Sequence, residues 1–583
     1  MGFLILAALS PVETTAADSR PIKVLFQKNH LESLRNDRGL ERSDLASKYL
    51  MYQADAAMRQ SNVDEAIRLG KSAVEISPES PEPHFFLSRA YWAKNNMDIS
   101  NVLSQYLSGL RLVPQDFWSL LSVVETVILL FLISFLLSVG IFIFYSAYAY
   151  GALWVHQISE STKGVLHPVS AGFIFFVILI SPFLLGVPLL WFVLFSFLLF
   201  WRFYLRSEKW TVALFLIGLG GLSWLIPFSL TFITAKHDLL LNEMVRNYQS
   251  DYFWLSPSFD QKNMDWKGLA LLAAYETQEN NYKRAKELYE DALTSNPRSS
   301  MILNNLGNIF FYQKEYEQAI NYYKQAIEYS PKLVSSYYNI SQTYREMLAF
   351  DKGERFYKEA VDIDKTSVKR FSQRAARYPA FPVINERFSE TDLWKKVSEE
   401  YKADSQEAEI IWRGWAGDIP LKYAPLISIF WFIALTLSAT IFKNFASVHP
   451  CASCHKSICR NCQEKIFSYY VCKGCGHQFR SIKKKSDFII IEKAVKKIPR
   501  KFYPFFLLPG GGHLSIRKSG RGVIFLSLFF FLASYLGLAD SFSPIAPWTL
   551  EGAKWVWVPF GLFCLYLVSL YDLKRSWSKR LWP

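Results

Sequence analysis

The stretch Ser300–Leu333, SMILNNLGNIFFYQKEYEQAINYYKQAIEYSPKL, decides the fold of this chain. Its small residues Gly307, Ala319 and Ala326 are placed so that two antiparallel helices can approach closely, while Leu303, Leu306, Phe310 and Tyr323 fill the space between them. Pro331, which has no N–H to give, stops the second helix. The pattern recurs at a step of 34 residues. One step back lie Leu269, Leu272, Ala273, Ala285, Tyr289, Ala292 and Pro297, and one step forward lie Tyr337, Ile340, Ser341, Tyr344, Gly353, Tyr357 and Ala360. Recurrence at a fixed period predicts three stacked helical hairpins over residues 264–366.

These residues resemble the tetratricopeptide repeat (TPR), whose pattern of a bulky residue, Leu-Gly, an aromatic, Ala, an aromatic, Ala and Pro is carried by Leu303, Leu306, Gly307, Phe310, Ala319, Tyr323, Ala326 and Pro331. A looser TPR-like pair precedes them over 44–116, with Leu50, Ala54, Ala57, Ala66, Ala73 and Pro78, then His84, Leu87, Ser88, Tyr91 and Pro114. Two hairpins bury little core, so the two sets are expected to pack together or onto a partner. The resemblance implies a concave groove that holds a protein or peptide partner. Its inner-face candidates are Asn304, Asn305, Asn308, Tyr312, Asn339 and Gln342, because side-chain amides hydrogen-bond an extended backbone whatever its sequence.

The rest of the chain is too apolar for a wholly soluble protein: of 583 residues, 51% are hydrophobic, 16% aromatic and only 20% charged. The excess lies in blocks. Leu121–Tyr148 is long enough to cross a hydrocarbon core of about 30 Å. Pro168–Tyr204, interrupted by Pro182, Gly186 and Pro188, reads as two closely spaced helices, and Trp210–Ile233 completes four spans over 121–233. Ala424–Phe442, Gly522–Leu538 and Trp555–Leu570 bring the expectation to seven, the last two forming a hairpin over 522–573; residues 367–423 read as a helical extension.

Basic residues set the orientation. Arg202, Arg206 and Lys209 fill the loop after the third span, which places that loop in the cytoplasm. Both repeat regions then fall outside the cytoplasm. The loop after the fifth span, with Lys483, Lys484, Lys485, Lys493, Lys496 and Lys497, falls inside, as does the tail with Lys574, Arg575, Lys579 and Arg580. Phe3–Leu9 followed by Thr14, Thr15, Ala16 and Ala17 has the look of a signal segment over 1–20, although no basic residue precedes it. The expected location is a bacterial cytoplasmic (inner) membrane, crossed several times. The net charge of +14 reports this orientation and suits anionic lipid headgroups; nucleic acid is not favoured as a partner.

Six of the seven cysteines form a series C-x2-C-x4-C-x2-C-x9-C-x2-C: Cys451, Cys454, Cys459, Cys462, Cys472 and Cys475. Within the module 449–480 the series resembles zinc-ribbon and treble-clef modules, in which paired thiolates share a metal. The short gap between the first two pairs favours Cys451 and Cys454 joining Cys472 and Cys475 at one zinc ion. Cys459 and Cys462 then need two more donors for a second, with His449, His455 and His477 as local candidates. Cys451-Ala-Ser-Cys454-His455 also satisfies the attachment pattern of c-type haem, the weaker reading because that chemistry resembles work done outside the membrane. Disulfides are disfavoured in a cytoplasmic loop.

Residues 481–521 form a basic linker and a Pro-Gly turn, Leu508-Pro509-Gly510-Gly511-Gly512-His513-Leu514, which resembles the lead-in to the hairpin of small TM2-like bacterial membrane proteins. No metalloprotease, nucleophile-elbow or phosphate-loop motif is present in the sequence, and the intramembrane acids Glu125 and Asp540 have no partner by spacing. The fold expected is all-α dominated, with TPR hairpins, about seven transmembrane helices and a small zinc-binding module. The function expected is that of an inner-membrane scaffold rather than an enzyme. The alternatives are a membrane enzyme or transporter with accessory repeats, and a haem electron-transfer protein.

Overall fold

The computed structural model describes residues 42–162, 165–249, 255, 264–399, 401, 405–441, 449–451, 457–458, 462–466, 469–479, 500–516, 518–542 and 554–578. The signal-like segment, Cys454, His455, Cys459 and the lysine run 483–497 lie outside them, as does the side chain of His449.

The amino-terminal pair comprises α1 (Asp44–Arg59), α2 (Val63–Ile76), α3 (Pro81–Lys94) and α4 (Ile99–Leu112). Asp116 accepts a hydrogen bond from the Ser119 backbone N–H at 2.7 Å and so starts α5, 45 residues from Phe117 to Ser161. Two short helices follow, α6 (Pro168–Leu184) and α7 (Leu189–Trp201), then α8 (Arg206–Ala235) and α9 (Leu239–Gln249). The second repeat stack is α10 (Trp266–Gln278), α11 (Tyr282–Ser295), α12 (Ser300–Tyr312), α13 (Tyr316–Tyr329), α14 (Val334–Glu346) and α15 (Phe350–Arg377). After α16 (Glu390–Glu399), α17 (Gln406–Ala416) and α18 (Ala424–Ile441) comes the cysteine module. It is built from β1 (His449–Pro450), β2 (Ser457–Ile458), β3 (Gln463–Ile466), β4 (Tyr469–Cys472) and α19 (Lys473–Phe479), paired β1 with β2 and β3 with β4, both antiparallel. The chain closes with α20 (Gly511–Ser515), α21 (Ser519–Phe542) and α22 (Lys554–Ser578).

The repeats pack as their pattern requires. Ala285, Ala292, Ala319 and Ala326 are wholly buried, and a methyl placed on Gly307 would stand 2.5 Å from the Tyr323 ring, so only glycine lets α12 meet α13. In four of the five hairpins the helix-to-helix turn uses one left-handed residue: Ser61, Asn280, Lys314 and Leu348, with φ of 61°, 62°, 65° and 58°. The last three are one period apart, so one backbone solution serves each hairpin of the second stack.

Four of the seven expected spans have the length and apolarity of a crossing. Among the described residues four helices are long and apolar enough to cross a membrane: α5, α8, and stretches within 421–438 and 519–537. The block after α5 divides at Gly186 (φ 68°) and Pro188 into helices of 17 and 13 residues, about 25 and 20 Å long, short of the roughly 30 Å of a hydrocarbon core. In α22 the apolar run 555–571 ends at Asp572, with Lys574 and Arg575 beyond it. The stretch 367–423 is also not helical throughout, since residues 378–389 contain no helix between α15 and α16.

Aromatic packing holds the bundle together. Phe142 and Tyr145 of α5, Phe197 and Phe200 of α7, and Phe215 and Leu216 of α8 form one core with Trp412 of α17 and Leu526 of α21. The start of α5 and the end of α8 enter a different core: Phe117, Leu121, Phe232 and Ala235 pack with Leu241 and Met244 of α9 and with Leu271 of α10. Glu125 has a partner there that its spacing did not announce, an ion pair with Lys236. The repeat stack therefore sits at one end of α5, while β2 and Cys462 of the cysteine module reach the other, beside His156 and Glu160.

Leu348 is 74% exposed and has no need of its side chain, yet carries a conformation that a Cβ disfavours. Leu348→Gly is expected to stabilise the repeat stack by about 0.5–1 kcal/mol, the left-handed relief outweighing the entropy of the added glycine. Thermal unfolding of the detergent-solubilised chain, followed by circular dichroism, checks this; an unchanged or lower midpoint contradicts it.

Candidate functional site

Four of the six groove candidates converge on one object, and it is part of this chain. Between α15 and α16, after a turn at Pro379, runs Phe381-Pro-Val-Ile-Asn-Glu-Arg-Phe388, which is neither helix nor strand. The side-chain amide nitrogens of Asn304, Asn308 and Asn339 all donate to the carbonyl of Ile384, at 3.0, 2.9 and 2.9 Å. In return the Ile384 N–H donates to Asn339 Oδ1 at 2.7 Å. Asn305 makes the same two-way contact with Glu386, donating to its carbonyl and accepting from its N–H, both at 2.8 Å. Further along, the Phe388 N–H donates to Asn247 Oδ1 of α9 at 3.1 Å.

A second tier orients these amides. The Tyr323 hydroxyl donates to Asn308 Oδ1 at 2.7 Å and the Ser336 hydroxyl to Asn304 Oδ1 at 2.9 Å. Burial raises the Tyr323 and Tyr289 phenols, so both stay neutral at any physiological pH. Arg374 clamps the segment from the other side, donating to the carbonyls of Phe381 and Val383 at 3.0 and 3.4 Å. Val383 itself is 1% exposed, seated among Phe310, Phe311 and Ile340. Burial also pushes the Glu386 carboxyl above the usual carboxylate range.

The groove amides thus read backbone, as their chemistry allows, but the backbone they read is internal. Gln342 is half-buried on α14 and is not among the residues that grip the segment. Tyr312 stacks on Tyr282, ring centroids 5.5 Å apart, and both line a cavity of about 590 Å³ beside Ile384 and Asn385. Arg42 and Glu79 of the amino-terminal pair and Arg370, Arg374 and Arg387 of the second stack also face it, so the two repeat sets share one cleft.

In the cysteine module, the β3–β4 hairpin sets Gln463 opposite Cys472, and α19 brings Cys475 round to it. The sulfur atoms of Cys451, Cys472 and Cys475 lie within 4.8 Å of one another. Backbone N–H groups already aim at them: Cys472 N donates to Cys451 Sγ at 3.2 Å and Cys475 N to Cys472 Sγ at 3.4 Å, the contacts that stabilise thiolates. His477 is exposed and belongs to neither metal-competent group among the described residues. Cys462 is held apart, against α5.

Sequence reasoning missed the resident segment, although Pro379 and Pro382 just before the groove-filling residues were its signal. It also missed His156 and Glu160, whose four-residue spacing places them on one face of α5.

Residues 300–333, 334–367 and 35–81 match the family described as tetratricopeptide repeat. No curated protein matches the chain. Among solved structures, one titled "Crystal structure of MamA" aligns with 54% of this chain and 96% of its own at 11% identity, with a TM-score of 0.17, an overlap too low to carry any argument. The chain carries tetratricopeptide repeats, and repeats of this family point to a role in holding protein partners.

Proposed function

We propose that this protein is a scaffold of a bacterial cytoplasmic membrane, whose repeats outside the cytoplasm receive an extended segment of a partner protein and whose cytoplasmic module is folded by zinc. The observation that carries the reading is the ladder of asparagine amides around Ile384 and Glu386, a device that grips main chain and is indifferent to side chains. A partner gains the groove by presenting a segment that replaces the resident one. The arginines around the adjoining cavity favour an acidic sequence.

The resident segment is hard to displace because it is tethered, at an effective concentration in the millimolar range. A labelled peptide of residues 380–390 should therefore leave the native chain alone. Ile384→Pro removes the N–H given to Asn339 and should open the groove, so that this variant binds the peptide with a Kd of about 1–100 μM. Adding Asn339→Ala should abolish the binding. Fluorescence anisotropy reads all three, and absence of binding to the opened groove contradicts peptide recognition.

Zinc is the ion that suits Cys451, Cys472 and Cys475, whose three thiolates lie close enough for tetrahedral sharing; Cys454, outside the described residues, is the fourth donor the spacing supplies. Two strands of four residues and one short helix hold too little apolar surface to fold alone, so metal supplies the stability. A strong chelator added to the purified chain should let trypsin cut at Lys465 and Lys473, whose backbone is held in β3 and α19, while leaving the repeats intact, and added zinc should restore protection. An unchanged digestion pattern contradicts this account.

A further inference from the structure

We propose that His156, Glu160 and Cys462 form a second metal site, separate from the Cys451, Cys472 and Cys475 group, which takes a divalent transition ion of the zinc class and fastens the cysteine module to the end of α5. The donors come from two elements far apart in sequence. His156 and Glu160 share one face of the last turns of α5, and Cys462 precedes β3. Cys462 Sγ stands 3.6 Å from His156 Nε2 and 4.0 Å from Glu160 Oε1, and all three donor atoms lie within 4.8 Å of one another.

Those separations are what a small ion requires. Zinc–sulfur and zinc–nitrogen bonds of about 2.3 and 2.0–2.1 Å at a tetrahedral angle place the two ligand atoms about 3.5 Å apart. The donor set also has the right chemistry: thiolate, imidazole and carboxylate together suit zinc or cobalt, whereas magnesium and calcium prefer oxygen alone. The place is prepared by packing around the donors. Ile458 of β2 is 1% exposed where that strand meets α5, and Cys462 lies against the aromatic core of the bundle. His156 and Cys462 are half-buried, shielded from bulk water yet within reach of an entering ion. Three protein donors leave one corner of the tetrahedron to solvent or a further donor.

The site gives Cys462 two partners on α5, both far from it in sequence. Metal occupancy and docking of the module on α5 are then one event. The inference stands apart from the three-thiolate site and from peptide recognition, and its test separates them.

The test uses cobalt on the full chain in detergent, with metal per chain counted by plasma emission and the ligand field read by visible absorption. Cys472→Ser with Cys475→Ser removes the three-thiolate site; this variant should still hold one cobalt per chain, with the weaker sulfur-to-cobalt band of a site with fewer thiolates. That ion should vanish when His156→Ala is added. In the otherwise native chain, His156→Ala with Glu160→Gln should lower the count by one and leave the thiolate-rich spectrum in place. The second experiment leaves the module's own cysteines intact, so it decides even where the serine variant fails to fold. An unchanged metal count and spectrum in the His156→Ala, Glu160→Gln chain overturns the proposal.

Discussion

Forty-five residues of unbroken helix from Phe117 to Ser161, about 67 Å from end to end, constrain where everything else can be. Four features fix that helix: the Asp116 cap at its start, the Glu125–Lys236 pair about two turns in, the aromatic core around Phe142 and Tyr145 at its middle, and Ile458 with Cys462 at its far end. Because an α-helix cannot bend sharply without proline, glycine pairs or an inserted group, the repeats at one end and the cysteines at the other are kept apart by its length. The charge pattern of the loops gives the same separation its proposed meaning, one module on each side of a membrane.

At the repeat end the governing physics is backbone satisfaction. An extended segment buried in a groove presents N–H and C=O groups that must find partners, and the asparagines supply both donor and acceptor at each step. This is why the segment needs no sheet to lie in. The same property makes the groove general: Val383 and Phe388 contribute burial, but the hydrogen bonds go to main chain that any segment of suitable shape provides.

The periodic part of this architecture was legible in the residues. Gly307, Ala319, Ala326 and Pro331 each do one steric job, and a 34-residue step carries them into neighbouring hairpins. The asparagines were legible as backbone readers too, but nothing in an amide says which backbone it will meet, so the internal segment was invisible until the fold brought Ile384 to Asn339. Glu125 and Cys462 were opaque for a related reason. Their partners, Lys236 and His156, are 111 and 306 residues away, and pairing over such distances is set by helix packing rather than by local pattern. The apolar blocks were readable as helices but less so as crossings, because Gly186 and Pro188 divide one block into pieces shorter than a bilayer core.

Sidedness is the claim on which the proposed scaffold rests, and thiol accessibility reads it most directly. In a chain stripped of its native cysteines, single cysteines replace exposed Lys324 on the outer face of the repeats and exposed Lys574 near the carboxyl end. A membrane-impermeant maleimide applied to intact spheroplasts is predicted to label the cysteine at 324 at once and that at 574 only after permeabilisation. Labelling of both before permeabilisation, or of 574 alone, would contradict the account.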